Sequence, residues 1–265
     1  MIFFMKPYLF LLIFSLLISK AGYSQDESFL NFGFGMISSG ERDEGYSPLN
    51  YSGIGAHHNI GFEKNKSNKN QSGARLGISF SPSKNKFNAS LRSYAAKLVQ
   101  YNLYNIENES PYILKWGWSN VNYFNIREFL DQNNFGGRFD YFTSFGANFN
   151  VGRPLNFFDR NFKLELSLQT QLLGFKMQSG YISSLPRGFE GSEDKSTFNK
   201  FFNSIDLFYL GNALHKGAEL KFSYNLRSGN TIQFAYDYNF SRLQGSHLTV
   251  ASRGFYYIGL NFKLK

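Results

Sequence analysis

Residues 218–240, AELKFSYNLRSGNTIQFAYDYNF, decide the fold of this chain. Apolar side chains occupy every second position on either side of the turn-like tetrapeptide at 227–230, and polar or charged side chains occupy the positions between. A period of two places alternate side chains on opposite faces of a β-strand. The stretch therefore predicts a hairpin with one aromatic-rich apolar face and one face that carries charges of both signs.

The end of the chain repeats this pattern, with apolar residues at alternate positions of 256–264. A soluble sheet can show the same alternation. An aromatic face opposite a mixed-charge face is typical of a strand that faces lipid on one side and a polar lumen on the other. The alternation therefore favours a membrane-spanning β-barrel, with a secreted soluble sandwich as the alternative.

Composition supports strands in lipid over helices in lipid. Of the 265 residues, 19% are aromatic, yet the mean hydropathy is −0.33. A bundle of membrane helices needs runs of about twenty apolar residues. The chain has no cysteine, which excludes disulfides and thiolate metal sites. Its formal charge of +9 comes from scattered Lys and Arg, so we expect anionic lipid, and not nucleic acid, as the partner.

Residues 1–24 are predicted to be a secretory signal peptide. Lys6 precedes an apolar core at 8–18, and Ala21–Ser24 offers small residues before a cleavage site. An uncleaved anchor helix is the alternative, but it needs a longer apolar run. We therefore expect an exported chain whose residues 25–265 form one domain, either soluble or a membrane barrel.

Ten segments of residues 25–265 are predicted to be strands of an antiparallel up-and-down barrel, with eight or twelve strands as alternatives. An even number keeps both termini on the periplasmic side. A bulge is expected at 93–96, where the alternation slips, and one helical turn at 126–131. The ten segments are 28–38, 53–62, 73–80, 87–102, 112–118, 139–151, 162–172, 218–226, 231–240 and 256–264.

Five connections are expected on the outer side of the membrane, namely those that follow the first, third, fifth, seventh and ninth strands. They are 39–50, the short break at 81–86, the irregular segment 121–137, and the two longest, 180–215 and 241–253. The longest, 180–215, breaks the period of two. Its second half has apolar spacings of three and four that suggest a short amphipathic helix, and an extra strand at 205–210 is the competing interpretation.

The leader, the alternating aromatic strands and the carboxyl-terminal segment YYIGLNFKLK resemble Gram-negative outer-membrane β-barrel proteins. The resemblance implies an outer-membrane location and recognition by the barrel-assembly machinery, although the chain ends on Lys265 instead of an aromatic residue. It implies an assembly signal made of Tyr256, Ile258, Leu260, Phe262 and Leu264.

The tryptophans Trp116 and Trp118 share one face of a predicted strand, where we expect an aromatic girdle at the headgroup boundary. The other interpretation is two core tryptophans of a soluble sandwich. Seven charged residues are expected to line the lumen, where they either pair into a plug or form a selective pore. These are Arg75, Lys115, Lys163, Glu165, Glu219, Lys221 and Asp237.

Three functions remain open from the sequence. The first is a non-enzymatic barrel with a largely plugged lumen that binds an envelope partner, a glycan or lipopolysaccharide through its outer loops. The second is a porin-like pore for small solutes. The third is a lipid hydrolase that uses His247, beside Ser246, as the base. The chain shows no nucleotide fingerprint or zinc spacing, so we expect no cofactor and no metal.

Overall fold

The computed structural model describes residues 26–66, 69–107, 109–131, 137–157, 160–179, 189 and 196–264, so the predicted leader lies outside the described residues. No helix within these ranges is long and apolar enough to cross a membrane. The elements are β1 (Glu27–Asp43), β2 (Ser47–Asn65), β3 (Gln71–Lys84), β4 (Ser90–Ile106), β5 (Ile113–Phe129), β6 (Arg138–Phe157), β7 (Arg160–Gln178), α1 (Thr197–Asn203), β8 (Asp206–Tyr209), β9 (Ala213–Asn225), β10 (Thr231–Gln244) and β11 (Leu248–Leu264).

The strands form one closed antiparallel barrel of ten positions. β11 pairs with β1 along sixteen residues of β1, and β6 pairs with β7, so the wall closes on itself. β8 and β9 pair with successive parts of β7 and together fill one position in the wall. Lipid offers no hydrogen-bonding partner to an open sheet edge, which is the physical reason for closure. The prediction of ten strands is confirmed over eight or twelve.

The strands are tilted relative to the barrel axis. A row of paired residues that starts at Phe32 and crosses β2 to β6 reaches β7 at Phe175. In the other direction, across β11, β10 and β9, the row reaches β7 at Phe162. The two rows therefore reach β7 at different positions along the strand. This offset arises from the strand tilt that closing a sheet into a barrel requires.

The outward face carries an apolar belt that ends well before the strands do. On β1 the outward residues are Leu30, Phe32, Phe34 and Met36, followed by the polar positions Ser38, Gly40 and Arg42. The wall therefore continues beyond the lipid at the end opposite to the termini. That end also carries the longest connection, 179–205, and outer-membrane barrels keep their short turns in the periplasm. We call it the outer end.

This extension explains the errors of the sequence prediction. The expected helical turn at 126–131 is wrong, because β5 continues to Phe129. The expected connections 39–50 and 241–253 are largely strand, and only 44–46 and 245–247 remain as turns. Above the lipid the outward face meets water, so both faces are polar and the alternation disappears.

The predicted connection 180–215 is shorter at its carboxyl end, where β8 and the start of β9 belong to the wall. Both interpretations of its second half hold in part, since α1 precedes β8. The bulge expected at 93–96 is wrong: β3 and β4 pair without a shift, and the register shifts lie at Glu41/Asp43 and Phe145/Gly146.

Inward glycines let neighbouring side chains lie flat against the wall. A Cβ atom on Gly33 would come within 2.6 Å of Asn59 Oδ1, and one on Gly217 within 2.4 Å of Gln169 Nε2. A narrow interior therefore requires small residues on one strand where long polar residues cross from the next.

Candidate functional site

An ionic cluster closes the lumen at the outer end. β1 supplies Glu41 and Asp43, which both face the lumen because alternate residues of a strand lie on the same side. β5 and β6, whose outer ends extend above the lipid, bring three more charged groups to the same level, and β11 completes the set. We call the outer cap the six residues Glu41, Asp43, Arg127, Arg138, Asp140 and Arg253.

The largest unit of the outer cap is centred on Arg127. Its Nη2 atom lies 2.8 Å from Asp140 Oδ2 and 3.2 Å from Asp43 Oδ2, and Arg138 Nη1 lies 3.6 Å from Asp43 Oδ1. At most 3% of any of these four side chains is exposed, so two cations face two carboxylates away from water. Buried charges persist only when they are paired in this way.

A second pair joins the first and last strands. Arg253 Nη2 lies 2.7 Å from Glu41 Oε1 and 3.3 Å from Ser93 Oγ. The Arg253 guanidinium also lies 5.3 Å from the centre of the Tyr123 ring. The ion pair therefore packs against Tyr123, which belongs to the apolar layer described below.

His247 lies in the turn between β10 and β11, against the outer cap. Its Nδ1 atom is 2.9 Å from Ser246 Oγ, and its Nε2 atom is 3.1 Å from Asp43 Oδ1. Gly45, in the turn between β1 and β2, approaches so closely that a Cβ there would lie 2.2 Å from Arg138 Nη1. Ser246 and His247 are thus brought together with Asp43. This residue lies in the segment 39–50, which was predicted to be a connection.

Beneath the outer cap lies an apolar layer that the sequence reasoning missed. Phe142 and Phe208 are fully buried, and their ring centres are 5.4 Å apart. His215 is buried against Phe142 at 5.1 Å. The sequence signal for this layer was a set of apolar residues at inward-facing positions of β4, namely Leu91, Ala95, Val99 and Leu103. The resulting loss of alternation was interpreted as a bulge. The layer comprises Ala95, Val99, Val121, Tyr123, Phe142, Phe208, Ala213 and Leu243.

The predicted lumen residues lie in two groups nearer the termini. Arg75 bonds to Glu219 and lies 3.9 Å from Asp237, while its Nη1 donates to the Tyr257 hydroxyl over 2.9 Å. Tyr257 in turn donates to Glu219. This group crosses the lumen from β3 to β9, β10 and β11, so four strands are joined by one set of polar contacts.

The remaining predicted lumen residues form the group closest to the termini. Lys163 Nζ lies 2.8 Å from Glu165 Oε1, Lys115 donates to Gln71 over 3.0 Å, and Lys221 lies 3.9 Å from Glu219. The structure thus places all seven predicted residues inward and joins them through partners that the sequence did not name, such as Tyr257 and Gln71.

Two small cavities lie between these layers. One, of about 40 Å³, lies around His57, Lys97 and Asn239, and another, of about 70 Å³, lies around Glu63, Tyr101 and Gln169. Volumes of this size hold a few water molecules. In the described part of the chain, no group of three or more acidic, His or Cys side chains is arranged to hold a metal ion.

The predicted outward residues face away from the lumen. Trp116 is 60% exposed, and the Trp118 ring stacks on Phe145 at 5.3 Å; both lie toward the terminal end of β5. The five residues of the expected assembly signal are also exposed on β11. These placements are compatible with a girdle and an assembly signal, which remain predictions.

Comparison with known proteins finds similar folds but no match in sequence. No family model matches the sequence, and no curated protein matches it. The structure is similar to that of the outer membrane protease OmpT from Escherichia coli, with a TM-score of 0.56, 8% identity, and coverage of 90% of this chain and 97% of that one. The translocator domain of the autotransporter NalP from Neisseria meningitidis matches with a TM-score of 0.38 and 9% identity, over 97% of this chain and 95% of that one.

Proposed function

We propose that this chain, which has the fold of a Gram-negative outer-membrane β-barrel protein, is a sealed, non-enzymatic barrel that acts by binding at its outer end. The observation that carries the proposal is the outer cap, which fills the lumen with paired, buried charges. An open channel would leave such groups hydrated and separated by water.

The packing below the outer cap argues against the alternative of a small-solute pore. A solute that passed the cap would meet the fully buried rings of Phe142 and Phe208 and then the group around Arg75 and Glu219. Ion pairs that join four strands hold the barrel in one shape and leave little room for a path to open.

Conductance in a planar lipid bilayer tests the sealed lumen. We expect no steady current from the wild-type protein. A porin measured in the same bilayer serves as the conducting control. A reproducible unit conductance of the wild-type protein would contradict the proposal.

Anionic glycolipid of the outer leaflet is the partner that we propose. Lys84, Arg92 and Arg242 are exposed on the outward face, beyond the apolar belt at the outer end. Arg42 also faces outward at this end and pairs with Glu44 at 3.3 Å. Cations at this height face lipid phosphates, which guanidinium groups bind through charge-assisted hydrogen bonds.

Titration of the detergent-solubilised protein with lipopolysaccharide tests this partner. The variant Arg92→Gln/Arg242→Gln is expected to bind about tenfold more weakly, equivalent to about 1.4 kcal/mol. The matched control, Arg153→Gln/Arg160→Gln, changes two exposed arginines at the terminal end. Equal losses in both variants would show attraction by overall charge and would refute a site at the outer end.

Ester hydrolysis is the second candidate, favoured by the chain of contacts from Ser246 through His247 to Asp43. In this arrangement His247 Nδ1 takes the proton from Ser246 Oγ as that oxygen attacks a carbonyl carbon, and Asp43 stabilises the imidazolium. Arg127 and Arg138 already pair with Asp43, which weakens that role.

Labelling with a fluorophosphonate and mass spectrometry of lipids test this candidate. Hydrolysis requires that Ser246→Ala and His247→Ala both abolish labelling and lipid turnover, while Ser252→Ala, in the adjacent part of β11, keeps both. Absence of labelling in the wild-type protein, with unchanged lipids, would remove the candidate.

A further inference from the structure

Four amide side chains interrupt the apolar belt on the lipid-facing side of β4 and β5. On β5 the outward row is Leu114, Trp116, Trp118, Asn120, Asn122, Phe124 and Ile126. On β4 it is Tyr94, Ala96, Leu98, Gln100, Asn102, Tyr104 and Ile106. Because apolar residues flank the amides on both sides along both strands, Gln100, Asn120 and Asn122 lie at the level of the acyl chains. Asn102 is paired with Trp118 and lies at the level of the expected girdle.

The four residues form one contiguous surface, which we call the amide patch: Gln100, Asn102, Asn120 and Asn122. Gln100 is directly opposite Asn120 in the β4–β5 register, with Asn102 and Asn122 on either side of that pair. Gln100 is exposed, and the other three are half-buried. The patch is therefore accessible from the membrane.

Contacts within the barrel satisfy only part of the amide patch. Asn122 Nδ2 donates to Asn120 Oδ1 over 2.7 Å, and Asn120 Nδ2 donates to Ser144 O over 3.1 Å. Asn102 Nδ2 donates to the Tyr104 hydroxyl; Asn102 Oδ1 accepts no hydrogen bond within the described residues but is shielded from the surface. The described part of the chain likewise offers the exposed Gln100 amide no partner.

Hydrocarbon tails cannot supply the missing bonds. An amide without a partner in an apolar medium costs several kcal/mol, whereas polar groups that meet between membrane proteins stabilise association. The fold does not need amides at these positions, because leucine at the same positions would satisfy the lipid. A protein surface in the same bilayer is the environment that suits them.

We propose that the amide patch is the interface through which two copies of this chain associate side by side in the membrane. Two copies related by a two-fold axis along the membrane normal present each patch residue at the same height. An amide is both donor and acceptor, so two Gln100 side chains that meet across such an axis complete each other's bonds. A second copy therefore necessarily carries the complementary groups at the required depth.

Cysteine crosslinking in lipid vesicles tests the proposal, since the natural chain has no cysteine. Leu98→Cys, beside the amide patch on β4, leaves all four amides in place and is expected to give a homodimer on mild oxidation, with a yield about tenfold above that of Ile258→Cys. Ile258 is an exposed belt residue on β11, on the opposite wall of the barrel, and serves as the matched control. Equal yields for the two variants would show random collision and overturn the proposal.

A leucine variant keeps the proposal falsifiable if the cysteine variants fold poorly. Gln100→Leu/Asn120→Leu/Asn122→Leu completes the apolar belt, so the barrel is expected to insert and fold while energy transfer between labelled copies in vesicles falls to the level of random mixing. Energy transfer equal to that of the wild-type protein would overturn the proposal. Crosslinking of Leu98→Cys only to a different protein in native membranes would overturn it as well.

Discussion

Glu41 and Arg253 lie 212 positions apart in the sequence and form a 2.7 Å ion pair between the first and last strands of the barrel. The pair crosses the β1–β11 seam, where the barrel closes, and at most 4% of either side chain is exposed. The same two side chains therefore bridge the seam at which the wall closes and help to seal the lumen.

Replacement of Arg253 by alanine should destabilise the barrel strongly. Glu41 would remain buried without its partner, which typically costs about 3–5 kcal/mol of the free energy of unfolding. Urea unfolding in detergent, followed by tryptophan fluorescence, measures the change. The exposed Arg242→Ala serves as the control and should stay within about 0.5 kcal/mol of the wild-type protein.

Gly45→Ala should displace the side chains at the outer end. A Cβ at Gly45 would lie 2.2 Å from Arg138 Nη1 and 2.6 Å from His247 Cγ, so one of these groups must move. We expect faster proteolysis at the outer end together with a loss of about 1–3 kcal/mol from overpacking. Gly40→Ala, where a Cβ would meet nothing within 4 Å, is the matched control, and equal effects of the two variants would refute this account.

Phe208→Ala should open the apolar layer. Phe208 is fully buried against Phe142, and loss of a buried phenylalanine costs about 3–5 kcal/mol of the free energy of unfolding. Phe202, exposed in α1, gives the control Phe202→Ala. Similar unfolding midpoints for the two variants would mean that the layer contributes little to stability.

Lipids with bromine atoms on their acyl chains should quench the tryptophan fluorescence of the folded protein. Trp116 and Trp118 are the two tryptophans of the chain, and both face outward. Bromine close to the headgroup should quench more than bromine at the bilayer centre if the pair belongs to a girdle. Quenching that increases toward the bilayer centre would refute the girdle, and absence of quenching would place the rings away from lipid.

The sequence predicted the parts of the barrel that touch lipid. There the outward face must be apolar and the inward face polar, so strands such as 162–172 and 218–226 show the period of two. Above the lipid both faces of a strand meet polar surroundings. Arg127 and Asp140, near the outer ends of β5 and β6, were therefore not predicted as parts of a site.

The identity of the lumen charges could be predicted, but their partners could not. Parity along a strand places Arg75 and Glu219 inward, yet their contact joins β3 to β9 across the interior. Such a contact depends on the number of strands and on their tilt, which no single strand encodes. The apolar layer was missed for a related reason, because a polar interior was assumed at every level.

The extension of the strands beyond the apolar belt raises the outer end of the barrel above the membrane surface. From Met36 to Asp43, β1 continues for about 20 Å along the strand, at roughly 3.3 Å for each residue. The outer cap and the turns 44–46 and 245–247 are therefore held clear of the lipid headgroups. A large ligand, such as an antibody or a surface polymer, can reach them without pressing against the bilayer.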